Sequence, residues 1–314
     1  ILRGTFLVEG AGALLMLVPF CRRYGAKGIW YAVFHSVSAF CNAGFDLLGT
    51  QDNPFPSLTA FRTDALLTVT AALLILIGGI GFLTWEDVKT HRFRLRRYRL
   101  QSKLILTVSA VLVVFPTLYY FLFEFTAGAP AQRLLDSFFQ AVTPRTAGFN
   151  TVDLGAMTEA SRAIMVVLML IGGASGSTAG GMKMNTVAVL FANAGAIFRR
   201  RSEVEAYGRR LDPATVRQAA VIVTMYLTLF VGGAIAISTL EGLPIGACLF
   251  ESASAVATVG LSLGITPTLG VASQMILTVL MYLGRVGALT LIYAALANPD
   301  TTPSRLPQEK VSVG

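Results

Sequence analysis

The chain has 314 residues, of which 54% are hydrophobic and only 13% charged, with a mean hydropathy of +0.66. A soluble domain carries about a quarter charged residues, so this composition excludes one and indicates an integral membrane protein. The net charge of +8 does not point to nucleic acid, because the basic residues cluster in linkers between apolar stretches. Three cysteines, Cys21, Cys41 and Cys248, lack ligand spacing and imply neither a disulfide framework nor a zinc site.

Residues 1–20 can cross a bilayer, which needs roughly 20 apolar residues as a helix. Glu9 interrupts them and no small-residue cleavage pattern follows, so they are not a signal peptide. The first residue is Ile, and the sequence is expected to begin inside a longer chain. A carboxylate in lipid is costly unless it faces protein or water. Glu9 should therefore point at the next segment, or else pack as an interfacial Glu. Residues 29–40 are a short helix, followed by a polar loop with Pro54 and Pro56. Residues 65–84 read as the next span, with Gly78, Gly79 and Gly81 allowing close helix approach.

The stretch KTHRFRLRRYRLQSK, within 86–103, is the strongest basic cluster and is cytoplasmic by the positive-inside rule. His91 within it reads as a solvated or lipid-headgroup residue. Residues 104–123 span outward, 132–143 form a second short helix, and 161–198 return. That return is interrupted by GGASGSTAGGMKMN at 172–185, whose five glycines cannot form a lipid-facing helix. Non-helical backbone at that depth lines a water-filled cavity. A second basic linker holds Arg199–Arg201, Arg209, Arg210 and Arg217. Residues 214–240 span outward, 243–256 form a third short helix, 271–296 are the last span, and the tail 297–314 is cytoplasmic by parity.

Aligning Gly44, Gly148 and Gly260 places Phe34, Phe138 and Phe250 in one column ten places upstream. The copies read FHSVSAFCNAGFD, FFQAVTPRTAGFN and FESASAVATVGLS. Each run is too short to span and is flanked by segments that do. The repeating unit is long helix, re-entrant helix, glycine-ended loop, long helix. Thr258-Val259-Gly260 has the form of a K⁺ filter, in which backbone carbonyls replace the ion's hydration shell. The helix end before it carries roughly half a negative charge, which favours a cation. The expected ion-lining residues are Cys41, Asn42, Ala43 and Gly44, then Arg145, Thr146, Ala147 and Gly148, then Ala257, Thr258, Val259 and Gly260, with K⁺ held by the backbone.

Two features read as gates. One is the interrupted segment with Gly172, Gly173, Ser175, Gly176, Ser177, Thr178, Gly180, Gly181 and Lys183, which could also be a packing loop at a helix break. The other is Arg285, an ionisable residue inside a span, which could instead bond the carbonyls of the broken helix. A Walker phosphate loop needs Lys directly after its last Gly, and Met182 intervenes before Lys183. Glu9, His35, Glu124 and Glu251 are dispersed along the chain, so no enzymatic function is read. The alternative within transport is a secondary transporter with broken helices and a midplane site.

The segments FHSVSAFCNAGFDLLG, GGIGFLTWEDV, FQAVTPRTAGFNTVD, IGGASGSTAGGMK, FESASAVATVGLSLG and YLGRVGALTL, with the tail LPQEKVSVG, resemble the Trk/Ktr/HKT superfamily of K⁺ transporters, and the bacterial Ktr membrane subunit in particular. The resemblance implies an all-α integral membrane protein of helix–re-entrant pore helix–helix units around a K⁺-channel-like pore, three of an expected four being found. The units are 1–84, equivalent to the family's second, 104–198 and 214–296, joined by basic cytoplasmic linkers 85–103 and 199–213 and followed by the tail 297–314. It further implies filter glycines lining the ion path, an intramembrane gate at 172–185, and Arg285 beneath the filter. The expected cargo is K⁺, with Na⁺ possible and no organic cofactor. The expected partners are a second copy in a homodimer, a cytoplasmic ring of nucleotide-binding regulatory subunits, and membrane lipid. Cys41 and Arg145 depart from Thr-Val-Gly, so selectivity should be looser than in tetrameric K⁺ channels.

Overall fold

Eleven α-helices and one short hairpin make up the computed structural model, which describes residues 1–92 and 94–286. The helices are α1 (Leu2–Tyr24), α2 (Lys27–Phe40), α3 (Ala65–Gly79), α4 (Phe82–His91), α5 (Leu100–Tyr119), α6 (Pro130–Val142), α7 (Glu159–Leu170), α8 (Met184–Phe198), α9 (Pro213–Glu241), α10 (Ile245–Val256) and α11 (Val271–Val286). Among the described residues three stretches are long and apolar enough to cross a membrane, α1, α5 with its π-helical extension to Glu124, and α9, and the bent pair α3 and α4 meets the same test when taken together. The expected continuation of the last span to 296, with Gly287, and the tail 297–314 lie outside the described residues.

The long helices leave large apolar side chains on their outer faces, such as Phe6 at 70% and Phe115 at 68% exposure, as a lipid-facing surface requires. Inward they build two large clusters, beside a small third one of Ile105, Ala174 and Met184. Phe20, Phe40, Leu67, Ile75, Phe139 and Phe149 form one, around α1, α2, α3 and α6. Met165, Tyr226, Phe230, Phe250, Val259 and Leu277 belong to the other, around α7, α9, α10 and α11.

Buried or half-buried acids tie the elements together at their ends. Glu124 accepts from Thr158 N at 3.2 Å, Thr158 Oγ1 at 2.6 Å and Ser161 Oγ at 2.5 Å, placing a carboxylate at the positive end of α7. Glu241 does the same for α11, accepting from Gly270 N at 2.9 Å and Ser273 Oγ at 2.5 Å. Asp136, on α6, is 2% exposed and takes Arg62 Nη2 at 2.8 Å and Gln132 Nε2 at 2.9 Å.

The structure departs from the reading of 65–84 as one span. The helix stops at Gly79, and α4 leaves at 95° to α3. The cause is a tertiary contact. The segment 171–183 takes over the backbone groups that the break frees: Ala174 N donates to Gly79 O at 2.9 Å and Phe82 N to Gly176 O at 3.0 Å. Gly81 turns the corner at φ 85°, a left-handed conformation that costs an L side chain about 1–2 kcal/mol. The division drawn at 84/85 thus falls inside α4, and that at 103/104 inside α5. The basic linker 199–213 also holds an unforeseen hairpin, β1 (Glu205–Ala206) with β2 (Arg209–Arg210). Tyr207 and Gly208 form its turn with φ 50° and 71°, as a two-residue turn of the mirror-image type requires.

Substituting Arg62→Gln leaves the buried Asp136 carboxylate without its cation. A loss of about 1–3 kcal/mol is expected, read as a lower unfolding temperature of the purified protein in detergent; an unchanged temperature would mean that the bridge contributes nothing.

Candidate functional site

The short helices α2, α6 and α10 each run out into a loop of the same backbone form. Asn42, Thr146 and Thr258 have φ of 50°, 64° and 55°, and Gly44, Gly148 and Gly260 have φ of 72°, 83° and 91°. Alternating left-handed residues with ordinary ones turns N–H groups one way and carbonyls the other. The N–H groups fold back onto the helix ends: Ala43 N donates to Ser38 O at 2.9 Å, Ala147 N to Thr143 O at 3.1 Å and Val259 N to Ser254 O at 2.8 Å. The carbonyl oxygens of Ala43, Ala147 and Val259 accept no hydrogen bond from any described residue. Buried backbone carbonyls are almost always paired; Ala147 and Val259 are buried residues, while Ala43 is exposed.

The loops converge in a definite order. A Cβ on Gly44 would collide with the Ala147 carbonyl oxygen, and a Cβ on Gly148 with that of Val259. A Cβ on Gly260 would meet only the Gly148 Cα, at 3.8 Å, among the described residues. The middle loop is accordingly the most enclosed, and the outer two are open on one side. Phe149 and Leu261, which follow the second and third glycines, are buried, whereas Phe45, which follows the first, is 70% exposed.

Register assigns the flanking residues. The place of Thr258 is held by Thr146 and by Asn42, while Cys41, Arg145 and Ala257 stand one position earlier. Cys41 is exposed, with its Sγ 3.9 Å from Glu9 Oε1. Glu9 is buried and does face this segment, its backbone carbonyl accepting from Ser36 Oγ at 2.6 Å. The Arg145 side chain reaches to within 3.2 Å of Met184 Sδ at the start of α8, and its Nε and Nη1 have no partner among the described residues.

Hydroxyls and one acid hold the loops in shape. Ser38 Oγ donates to Phe45 O at 2.8 Å, Thr143 Oγ1 donates to Phe149 O, and Ser254 Oγ accepts from Gly260 N at 3.1 Å. Glu251, on α10 and 4% exposed, accepts from Ser262 Oγ and Leu263 N, both at 2.8 Å, and from Thr266 Oγ1 at 2.6 Å. Sequence reasoning passed over Glu251 as one of several dispersed acids. The signal was an acid on the short helix opposite a Ser/Thr-bearing segment just past Gly260. His35 sits at the equivalent place on α2, its Nδ1 2.7 Å from Tyr31 O, and Glu124 is occupied at α7.

The segment 171–183 passes against the start of all three loops. Thr178 is its hub: Oγ1 donates to Phe40 O at 3.0 Å, N donates to Gly78 O at 3.4 Å, and its carbonyl accepts from Arg285 Nη1 at 3.3 Å. Gly180 N donates to Thr146 Oγ1 at 3.2 Å, and a Cβ there would collide with the Thr258 hydroxyl. A Cβ on Gly181 would lie 3.3 Å from Ala257 O. Lys183 Nζ turns back to Ala179 O at 2.8 Å, and Ser177 Oγ donates to Ala174 O at 2.6 Å. At the segment's base Gly172 N donates to Met182 O at 2.8 Å and Gly173 O accepts from Met184 N at 3.1 Å. Ser175 and Gly176 reach the corner at Gly81. All ten residues read as gating elements therefore lie in or against this one segment, Arg285 from α11.

Residues 13–302 match a protein family described as TrkH, cation transport protein. The chain is 37% identical to the potassium/sodium uptake protein NtpJ of Enterococcus hirae, covering 100% of this chain and 71% of that one. It is 35% identical to Ktr system potassium uptake protein B of Bacillus subtilis, covering 98% and 69%. The namesake from Vibrio alginolyticus is also 35% identical, covering 91% and 63%. The crystal structure of the potassium transporter TrkH from Vibrio parahaemolyticus shares the fold, with a TM-score of 0.73 over 94% of this chain and 62% of that one at 18% identity. A chain of apolar helices with these relatives is membrane-embedded, and it belongs to the TrkH family of cation transport proteins.

Proposed function

We propose that this chain is the membrane subunit of a bacterial K⁺ uptake system of Ktr/Trk type, moving K⁺ inward down its electrochemical gradient. The observation that carries the reading is the convergence of three glycine-ended loops whose carbonyls have no donor. A dehydrating cation supplies what those oxygens lack. The C-terminal ends of α2, α6 and α10 add partial negative charge on the same side. The names of the relatives in E. hirae and B. subtilis support potassium as the cargo, and the former supports a part for Na⁺.

In this reading each loop belongs to one helix–pore helix–helix unit: α1 to α3, α5 to α8, and α9 to α11. The open side beside Gly260 and Phe45 is the place of a fourth unit, which would close the ring. The ion-lining residues are Cys41 to Gly44, Arg145 to Gly148 and Ala257 to Gly260, with Asn42, Thr146 and Thr258 at the inner layer. Segment 172–183 and Arg285 form the gate, the guanidinium both holding Thr178 and repelling cations. The basic linkers face the cytoplasm, where a ring of nucleotide-binding subunits regulates a homodimer.

Gly260 has φ of 91°, which strains any L side chain. Gly260→Ser in the native protein should lower K⁺ over Na⁺ selectivity about tenfold, or roughly 1.4 kcal/mol of discrimination; unchanged selectivity in liposome flux assays would remove the filter assignment. Deleting residues 172–181 removes Thr178 and Gly180 and should raise K⁺ flux several-fold. Flux that falls or stays level speaks against a gate. Glu251→Ala releases three donors beyond Gly260 and should degrade selectivity at equal expression, whereas Glu251→Gln, which can still accept from Leu263 N and donate to Thr266, should restore most of it. Equal selectivity in both variants would reduce Glu251 to a packing residue.

A further inference from the structure

Between α4 and α5 the chain folds around a pocket of about 310 Å³ lined by Thr90, His91, Arg92, Arg94 and Arg97. No acid lines it. The acids nearby are already engaged: Glu86 pairs with Arg99 at 3.0 Å, and Asp87 takes Arg99 N at 3.0 Å while its other oxygen lies 3.9 Å from His91 Nδ1. Arg92, Arg94 and Arg97 make no salt bridge with any described residue. Three arginines without a carboxylate partner among the described residues thus line one concavity.

The described residues of the pocket are held by specific contacts. Arg92 has φ of 48°, an uncommon conformation for a residue with a side chain, and strain of this kind gathers at functional sites. The Tyr98 hydroxyl donates to Arg92 O, and Lys103 Nζ to Arg96 O at 2.9 Å. Position supplies the other half of the argument. Taken together, α3 and α4 have the length and apolarity of one span, and the positive-inside rule places the basic run that follows them at the cytoplasmic membrane surface, with the pocket beside the headgroups. Val88 at 43% and Leu95 at 59% exposure stand beside it as apolar neighbours.

We propose that this pocket binds the phosphate of an anionic phospholipid headgroup, the guanidiniums donating in pairs to its oxygens while Val88 and Leu95 meet the upper acyl chain. Planar guanidinium forks match phosphate geometry, and basic pockets on the cytoplasmic side of membrane proteins suit such headgroups. The inference needs the basic linker to lie at the membrane surface but does not depend on which ion the protein carries.

The test measures lipid retention, not flux. The native protein, purified in detergent and incubated with equal amounts of phosphatidylglycerol and phosphatidylcholine, is washed and its bound lipid quantified by native mass spectrometry. Phosphatidylglycerol should be retained about tenfold over phosphatidylcholine. The preference should be lost in Arg92→Gln/Arg94→Gln/Arg97→Gln and kept in Arg199→Gln/Arg200→Gln, a control in the other basic linker. Arg94→Gln and Arg97→Gln alone, each weakening the preference, carry the test if the triple variant does not fold. Retention independent of these arginines would overturn the site. Displacement of the lipid by millimolar inorganic phosphate would overturn the lipid assignment in favour of a soluble anion.

Discussion

The carbonyl of Ala147 lies against Gly44 and that of Val259 against Gly148 so closely that no Cβ fits between. Inside a bilayer every unsatisfied backbone group costs several kcal/mol, and irregular backbone survives there only when other protein or water supports it. The three loops meet this condition by folding their N–H groups onto the ends of α2, α6 and α10 and by stacking on one another through glycine. What is left over is a set of carbonyls with no donor. In the proposed reading such a site prefers a cation, because a full positive charge is held more strongly by converging carbonyl dipoles than a neutral hydrogen-bond donor is, and an anion is repelled.

The segment 171–183 is built on a different principle. Its two ends are anchored by apolar burial, with Ala174 and Met184 packed against Ile105. Its middle is held mainly by hydrogen bonds, from Thr178, Gly180 and Arg285, with Ala179 as a small buried apolar contact. Each such bond contributes about 1 kcal/mol net, so the docked position can be disfavoured by a partner that binds the undocked one only modestly better. Five glycines without side chains to pack leave little apolar contact to break. An apolar plug of the same length would need a much larger differential affinity to move.

Much of this was legible in the sequence because it rests on local rules. Glycine spacing located all three loops, and twenty-residue apolar runs located α1, α5 and α9. The break at 172–185 was visible because glycine and serine cannot continue a lipid-facing helix. The end of α3 was not visible, since Gly78, Gly79 and Gly81 are equally compatible with close helix packing, and only the donors and acceptors of a segment about a hundred residues later decide the matter. The same holds for Asp136 with Arg62 and for Glu251 with Ser262, Leu263 and Thr266, whose meaning lies in the partner. The hairpin at Tyr207-Gly208 was hidden because Tyr is an unusual occupant of a positive-φ turn position.

The three loops are not equal, and their differences bear on how the proposed gate and filter would communicate. At the inner layer, the Thr146 hydroxyl is taken by Gly180 N and approached by Asn42 Nδ2 at 3.5 Å. The Thr258 hydroxyl and Asn42 Oδ1 are buried without a partner in the same neighbourhood. In the proposed arrangement the docked segment therefore occupies one of three side-chain oxygens and covers a second, since Gly180 lies against Thr258. Withdrawing the segment would free the Thr146 oxygen and uncover that of Thr258 in one movement. A cation arriving there gains ligands only when the path is clear, and an occupied inner layer competes with Gly180 for Thr146. Occupancy and opening then favour each other through one shared hydroxyl, a coupling that follows from the hydrogen-bond inventory rather than from any long-range motion.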